Sequence, residues 1–338
     1  MPTPLLHLDP PDADPDQVVF VDGTRAGFRT LSHWPGQTTP EALRHDLSTG
    51  SALLWAQRAP DERLAILGSF SVVANTHYDT DGVLSTFAVR FPELALAHED
   101  LLLRAAATGD FATWNGRDAL ALELLLMGLV EPGTEPLQLA ADTPGPERWL
   151  AAYEHAHAEL PRWLSDPEAA AARHVERLDR VCAEVEAIER AYELGADDLF
   201  VEPFDDLDLS LVTTTRELTV VGWHRAAGDA SRVLMVRPGD DGWRYRLVYR
   251  TTSWFELVSR PPGRRPDLAK VLARLRDLDP DAPWWATDTA MPVAQLGCAP
   301  PEGRDTSFYA DPHLERDAPT ELEPRQLLDV LTAVFAES

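Results

Sequence analysis

Cysteine is almost absent from this chain: two in 338 residues, Cys182 and Cys298, far apart and outside any Cys-x-x-Cys spacing. That excludes a disulfide-stapled scaffold and a thiolate zinc centre as the organising chemistry. Lysine is scarcer still, with Lys270 alone, so the cationic side chains are nearly all arginine, a codon bias and not a site signal. Cations as a class are outnumbered, 30 Lys and Arg against 56 Asp and Glu, for a net charge of -26. A surface that acidic repels phosphate backbones over its whole extent, which excludes duplex nucleic acid as a partner. A small anionic substrate remains open to it, held by a local basic pocket or by metal ions. Long apolar runs are missing too. The longest, Ala119 to Val130, follows Asp118 and is interrupted by Glu123, short of the ~20 residues that span a membrane. The opening Met1-Pro-Thr-Pro-Leu-Leu-His7 has neither a basic nor an apolar region, so no signal peptide is expected. No membrane partner and a cytoplasmic location follow as expectations.

What is present is ordinary globular material, 44% hydrophobic and 25% charged, in a chain longer than one core usually organises. Residues 1–16, rich in Pro and Asp, read as a loose tail. Val18-Val-Phe-Val21 followed by Asp22-Gly23 reads as a strand and turn. Thr39-Pro40-Glu41 opens a helix with Thr as N-cap, and Ser48-Thr-Gly-Ser51 is a loop feeding the next. Ser71-Val-Val-Ala74 is a buried strand, with a loop from Asn75 to Gly82 and a helix after Gly82. Helices follow over His98 to Ala107 and Arg117 to Met127. This alternation predicts an α/β fold with a mainly parallel, helix-flanked sheet over 17–145, ligands binding where strands end. From 146 to 195 the chain is rich in Ala, Glu and Arg and reads as a long helical connector. Beyond it, strand-like runs at 209–213, 218–221, 233–236 and 245–249, with the hairpin signal Gly239-Asp-Asp-Gly242, predict a smaller α+β domain over 196–338.

The strongest local signal is Asn75-Thr-His77-Tyr-Asp79-Thr-Asp81-Gly82. A histidine and two carboxylates at alternate positions suit an extended loop whose side chains converge. Oxygen and imidazole donors favour Mn²⁺ or Mg²⁺ over thiolate-loving metals. The same residues also read as a solvated acidic turn. A second candidate is the loop carrying Arg260, Arg264 and Arg265 around Pro261-Pro262-Gly263, basic on an acidic chain and suited to clamp a phosphate or carboxylate. His155-x-His157 diverges on a helix and is no metal pair. Trp254, Trp284 and Trp285 read as packing residues.

His77-x-Asp79-x-Asp81-Gly82, after an apolar strand and before a small-residue helix, resembles the first motif of DHH-type phosphoesterases. Leu101 to Asp110, ending in Thr-Gly-Asp, is similar to that superfamily's helix closing in Gly-Asp. Ser32-His33-Trp34, followed by Ser48-Thr-Gly-Ser51, resembles its histidine segment and downstream helix. Val258-Ser-Arg260 resembles a substrate-binding strand. The Asp-His-His triplet itself is missing, and the His33 segment precedes the His77 motif where the family has it follow. The resemblance implies a metal-dependent phosphoesterase acting on a small phosphorylated substrate or short oligonucleotide. His77, Asp79, Asp81 and Asp110 would bind two divalent ions, His33 and Asp81 would act at the reacting centre, and Arg260 with Arg264 would hold the substrate. Two other readings share the residues. One is a non-catalytic nucleotide- or protein-binding descendant. The other is a haloacid-dehalogenase-like phosphatase, since Asp79-Thr-Asp81-Gly82 also resembles that family's nucleophile motif.

Overall fold

Four consecutive apolar residues, Val18–Val21, leave no polar face and fold as a strand buried on both sides, as a central strand of a parallel sheet requires. A computed structural model of the chain describes residues 3–10, 12–131, 136–137, 140, 142–261, 263–299 and 313–337. The chain divides into two compact units, residues 1–179 with 255–261, and residues 180–254 with 262–338.

The strands of the first unit are β1 (Leu5–Leu8), β2 (Val18–Val21), β3 (Arg29–Leu31) and β4 (Val72–Asn75). They pair in the order β1-β4-β2-β3, every pair parallel. Its helices are α1 (Ser48–Ala56), α2 (Pro60–Leu67), α3 (Thr80–Arg90), α4 (Pro92–Leu96), α5 (Glu99–Phe111), α6 (Arg117–Met127), α7 (Gly145–Trp163) and α8 (Pro167–Ala170). Leu5–Leu8, expected to be loose tail, instead form the sheet edge by pairing with β4.

Three further expectations differ, each through a tertiary contact. Thr39 starts no full helix, only a single 3₁₀ turn over Glu41–Leu43. Its hydroxyl is engaged by Ser32, accepting from the Ser32 amide at 2.8 Å and donating to the Ser32 carbonyl at 2.9 Å. Ser48-Thr-Gly-Ser51 is the first turn of α1 and not a loop, because the Asp81 carboxylate caps it, accepting from the amides of Ser48 at 2.7 Å and Thr49 at 2.8 Å. The helix expected after Gly82 starts at Thr80, with Asp79 as its N-cap accepting from the Gly82 amide at 2.8 Å.

Helix α9 (Val175–Leu194) crosses the boundary between the units, so the connector expected over 146–195 is shared by both. The second unit carries β5 (Leu199–Phe204), β6 (Leu209–Thr214), β7 (Arg232–Gly239), β8 (Gly242–Tyr249), β9 (Trp284–Ala286) and β10 (Gln295–Cys298) in the order β5-β6-β7-β8-β10-β9. Only the β6–β7 pair in that sheet is parallel among the described residues. Gly239 faces Gly242 across the expected hairpin. Leu218–Val221 is not a strand: Thr219 caps helix α10 (Val220–Ala227). Period-two alternation sends Leu234 and Val236 to helices α11 (Leu268–Leu278) and α12 (Pro324–Ala336), and Val233 and Met235 to α10 and the end of α9. The fold is thus α/β, with a helix-flanked parallel sheet and a second, mixed α+β unit. Among the described residues no helix is long and apolar enough to cross a membrane.

Candidate metal centre

The parallel strands of the first unit end at one edge, and their carboxyl ends deliver the site. Asp22 follows β2, His33 lies two residues past β3, and His77 and Asp79 follow β4. Asp81 sits in the first turn of α3 and Asp110 near the end of α5. Asp22 takes a left-handed backbone (φ 57), which a short polar side chain tolerates better than a bulky one.

Two groups of ligand atoms result: Asp22, His33, Asp81 and Asp110, and beside them Asp22, His77 and Asp79. Within each, the atoms lie within 4.8 Å of one another. Asp22 belongs to both. Its Oδ1 faces His33 Nε2 at 3.6 Å and accepts from Ser48 Oγ at 2.8 Å, and its Oδ2 faces His77 Nε2 at 3.2 Å. His33 Nε2 also lies 3.1 Å from Asp110 Oδ2 and 3.7 Å from Asp81 Oδ2, with a well-formed hydrogen bond to none of them. Its other nitrogen is committed: Nδ1 donates to the Asp46 carbonyl at 2.5 Å. That bond fixes the tautomer and turns the Nε2 lone pair toward the carboxylates. Phe255 stacks on the ring at 3.8 Å. The Asp46 carboxylate holds the segment carrying Phe255 by accepting from the amides of Val258 at 2.6 Å and Ser259 at 2.8 Å.

Gly82 is required by close approach and not by a turn. A Cβ there would run into Asn75 Nδ2, meet Tyr153 Oη at 2.6 Å and Asp22 Oδ2 at 3.0 Å. Tyr153, from α7, donates to the His77 carbonyl at 3.1 Å and accepts from Asn75 Nδ2 at 2.8 Å, which locks the loop ahead of Asp79.

Four carboxylates, those of Asp22, Asp79, Asp81 and Asp110, are gathered in these two groups. Burial, and then the charges of Asp79 and Asp81, push the Asp22 carboxyl well above the usual range. Burial followed by Asp81 and Asp79 does the same to Asp110. Burial also works against the Asp79 anion, but the charge and hydrogen bond of His77, 2.7 Å away, outweigh it and hold that carboxyl low. His77 in turn is raised well above an ordinary histidine: burial opposes the rise, and Asp79 and Asp22 overcome it. Crowded anions that must share protons are the electrostatic signature of a place for cations. All-oxygen and imidazole donors fit hard or borderline divalent ions such as Mn²⁺ or Mg²⁺.

Five expected residues, His33, His77, Asp79, Asp81 and Asp110, therefore come together. Asp22 was missed, because a strand followed by Asp-Gly reads as turn chemistry. The available signal was its place at the carboxyl end of the most apolar strand. Arg260, half-buried in the first unit, comes directly after the amides that Asp46 holds. Arg264 lies exposed in the second unit, where its carbonyl accepts from Arg232. The Arg265 guanidinium is taken up by the carbonyls of Thr289, Met291 and Pro292 and by Ser253 Oγ, which makes it a loop staple. Pro262 falls outside the described residues. Trp284 and Trp285 are buried packing residues, as expected.

Among curated proteins no sequence match is found. The description of a family of unknown function, DUF6687, matches residues 8–338, and the chain belongs to that family.

Proposed function

We propose that the first unit is a phosphoesterase using two divalent ions, with Asp22 shared between them. The observation that carries this reading is His33. A ring nitrogen 0% exposed, fixed in one tautomer and aimed at three carboxylates without a proper hydrogen bond, is poorly placed for packing and well placed for a ligand. Asp22, His33, Asp81 and Asp110 would hold one ion, and Asp22, His77 and Asp79 the other. Bound divalent ions supply charge neutralisation and polarise phosphoryl oxygens. The chain's own contribution is to present donors in fixed positions. The α1 amides and Ser48 Oγ orient Asp81 and Asp22, and Tyr153 orients the His77 loop; Arg260 would bind the substrate, as the resemblance implies.

The resemblance to DHH-type phosphoesterases gains support from the way strand ends gather. Reversing two motifs along a chain matters little to a site at the carboxyl edge of a parallel sheet, where each strand brings its own residues. The dehalogenase-like reading is less well supported, since His77 and the Gly82 amide engage both oxygens of Asp79. A small phosphorylated substrate or short oligonucleotide suits the net charge of -26 better than a long polyanion does. A cytoplasmic location fits the near absence of cysteine.

Metal titration tests the proposal. Millimolar Mn²⁺ raises the melting temperature of the EDTA-treated protein by about 5 °C or more, and Asp81→Asn and Asp22→Asn each remove the shift. A shift that survives in both variants places the metal elsewhere. Metal binding without turnover of any phosphomonoester or diester leaves the binding-module reading.

A further inference from the structure

At the other end of α3 from the metal centre lies a cavity of about 280 Å³, the small end of the range for ligand pockets. Every residue lining it belongs to the first unit, and none is among the proposed metal ligands. Arg90, the last residue of α3, stands ~14 Å along the helix from Asp81, so this is a separate place. Its walls are aromatic and apolar, with Trp55, Phe70, Phe91 and Leu94, and two arginines complete them, Arg63 and Arg90.

Both guanidiniums are held in place by neutral groups. Arg63 lies over the Trp55 ring, 5.3 Å from its centroid, and donates through Nε to the Arg58 carbonyl at 2.8 Å and through Nη2 to the Ala56 carbonyl. Arg90 lies over the Phe91 ring at 5.2 Å, and donates through Nε to the Pro4 carbonyl at 3.0 Å and through Nη1 to His157 Nδ1 at 2.8 Å. Carbonyls and a neutral imidazole orient a cation without neutralising it. One nitrogen on each arginine is left over. Arg63 Nη1 has only the Glu93 carboxylate, 4.0 Å away on a side chain 84% exposed. Arg90 Nη2 makes no hydrogen bond among the described residues. Burial works against the Arg90 cation more than the charge of Glu154 supports it, and lowers its pKa below the ordinary arginine value. A chain with 56 acidic residues has carboxylates in plenty, yet neither of these arginines receives one at hydrogen-bond distance.

We infer that this cavity binds a small organic carboxylate with a flat apolar body, the carboxylate on Arg63 and Arg90 and the body against the aromatic wall. Two fixed donors on separate guanidiniums suit the two oxygens of a carboxylate through charge-assisted bonds. The rings of Trp55, Phe70 and Phe91 would be idle beside a bare anion, but they suit an apolar body. Because both arginines are already immobilised, a ligand orders little on binding. The inference stands apart from the metal-site reading.

Titration calorimetry on the full chain tests it with phenylacetate, its neutral isostere phenylacetamide, acetate and inorganic phosphate, each in Mn²⁺ and in EDTA. Phenylacetate is expected to bind with a Kd on the order of 0.1–1 mM under both conditions. The amide, lacking the charge, and acetate, lacking the apolar body, each bind at least about tenfold more weakly. Arg90→Gln weakens phenylacetate by about tenfold. Leu94→Glu, which adds a like charge at a side chain 45% exposed and leaves the core untouched, weakens it severalfold and decides the matter if Arg90→Gln does not fold. Phenylacetate that fails to bind at millimolar concentration, or binds no better than its amide, overturns the site. Phosphate bound as tightly as phenylacetate overturns the carboxylate assignment. Binding that EDTA abolishes belongs to the metal centre, and wild-type affinity in both variants places it elsewhere on the chain; either result overturns the inference.

Discussion

The imidazole of His33 shows how a single side chain is made into a ligand. Its Nδ1 bond to the Asp46 carbonyl sets the proton, Phe255 sets the ring plane, and Asp46 ties the two together by gripping the amides of Val258 and Ser259. Asp46→Ala keeps the carbonyl that His33 uses and releases only the Phe255 segment. Loss of an outer partner of this kind typically costs 10- to 100-fold in metal affinity, so Mn²⁺ should bind at least about tenfold more weakly. Wild-type affinity in a Mn²⁺ titration of Asp46→Ala would show that the segment does not position His33. Gly82 is the second such residue. Gly82→Ala forces a methyl group against Asn75, Tyr153 and Asp22. It should lose about 1–3 kcal/mol in urea unfolding, the usual range for overpacking, together with the Mn²⁺ thermal shift. Full stability with an intact shift would mean that the neighbours move aside freely.

Between elements, buried polar contacts tie helices to one another. His157 of α7 donates through Nε2 to the Val83 carbonyl of α3 at 3.1 Å, beside Thr86 Oγ1, while its Nδ1 accepts from Arg90 at 2.8 Å. Burial, and then the Arg90 charge, push this histidine down to about 3. The folded chain therefore keeps the neutral ring, while the unfolded chain protonates it near the ordinary value of 6.5. The unfolded state takes up more protons between those values, so this contribution to stability is complete above pH 6.5, falls through the window and is lost near pH 3. At about 1.4 kcal/mol per pH unit, a drop from pH 6.5 to 4.5 should remove roughly 2–3 kcal/mol through His157. Urea unfolding of wild type and His157→Gln at pH 7 and pH 4.5 measures it. The variant should lose less stability on acidification than the wild type by about that amount, and equal losses would assign the acid sensitivity to other groups.

On the scale of the whole molecule, 56 acidic against 30 basic residues make self-repulsion a general term. Salt screens it over about a Debye length, near 8 Å at 0.15 M. Raising NaCl from low to moderate concentration should raise the melting temperature, and a fall would show that favourable ion pairs outweigh the repulsion. The same field argues that immobilised duplex DNA retains none of the chain at physiological salt. The covering of the two sheets follows from the pattern as well. An all-apolar strand such as β2 requires covering on both faces, and alternation in β7 assigns odd and even residues to opposite faces of the second sheet.

The sequence by itself determined the elements whose signal is local. The hairpin at Gly239–Gly242 is set by turn chemistry, α6 by its apolar spacing, and the pairing of His77 with Asp79 by residue type and proximity along the chain, whereas Asp81, expected to converge with them, turns to the group with His33 and Asp110. His33 and Asp110 were reachable only through resemblance, because nothing within a few residues of either marks it as a ligand. Tertiary structure decided the rest. The first turn of α1 is helical because a carboxylate 33 residues away, in Asp81, caps it. Thr39 caps nothing because Ser32 takes its hydroxyl. Asp22 joins the site because β2 lies between β3 and β4, an ordering set by sheet packing. Local propensities report on a residue's chain neighbours, whereas a site at the edge of a parallel sheet is assembled from strand ends that only the folded core brings side by side.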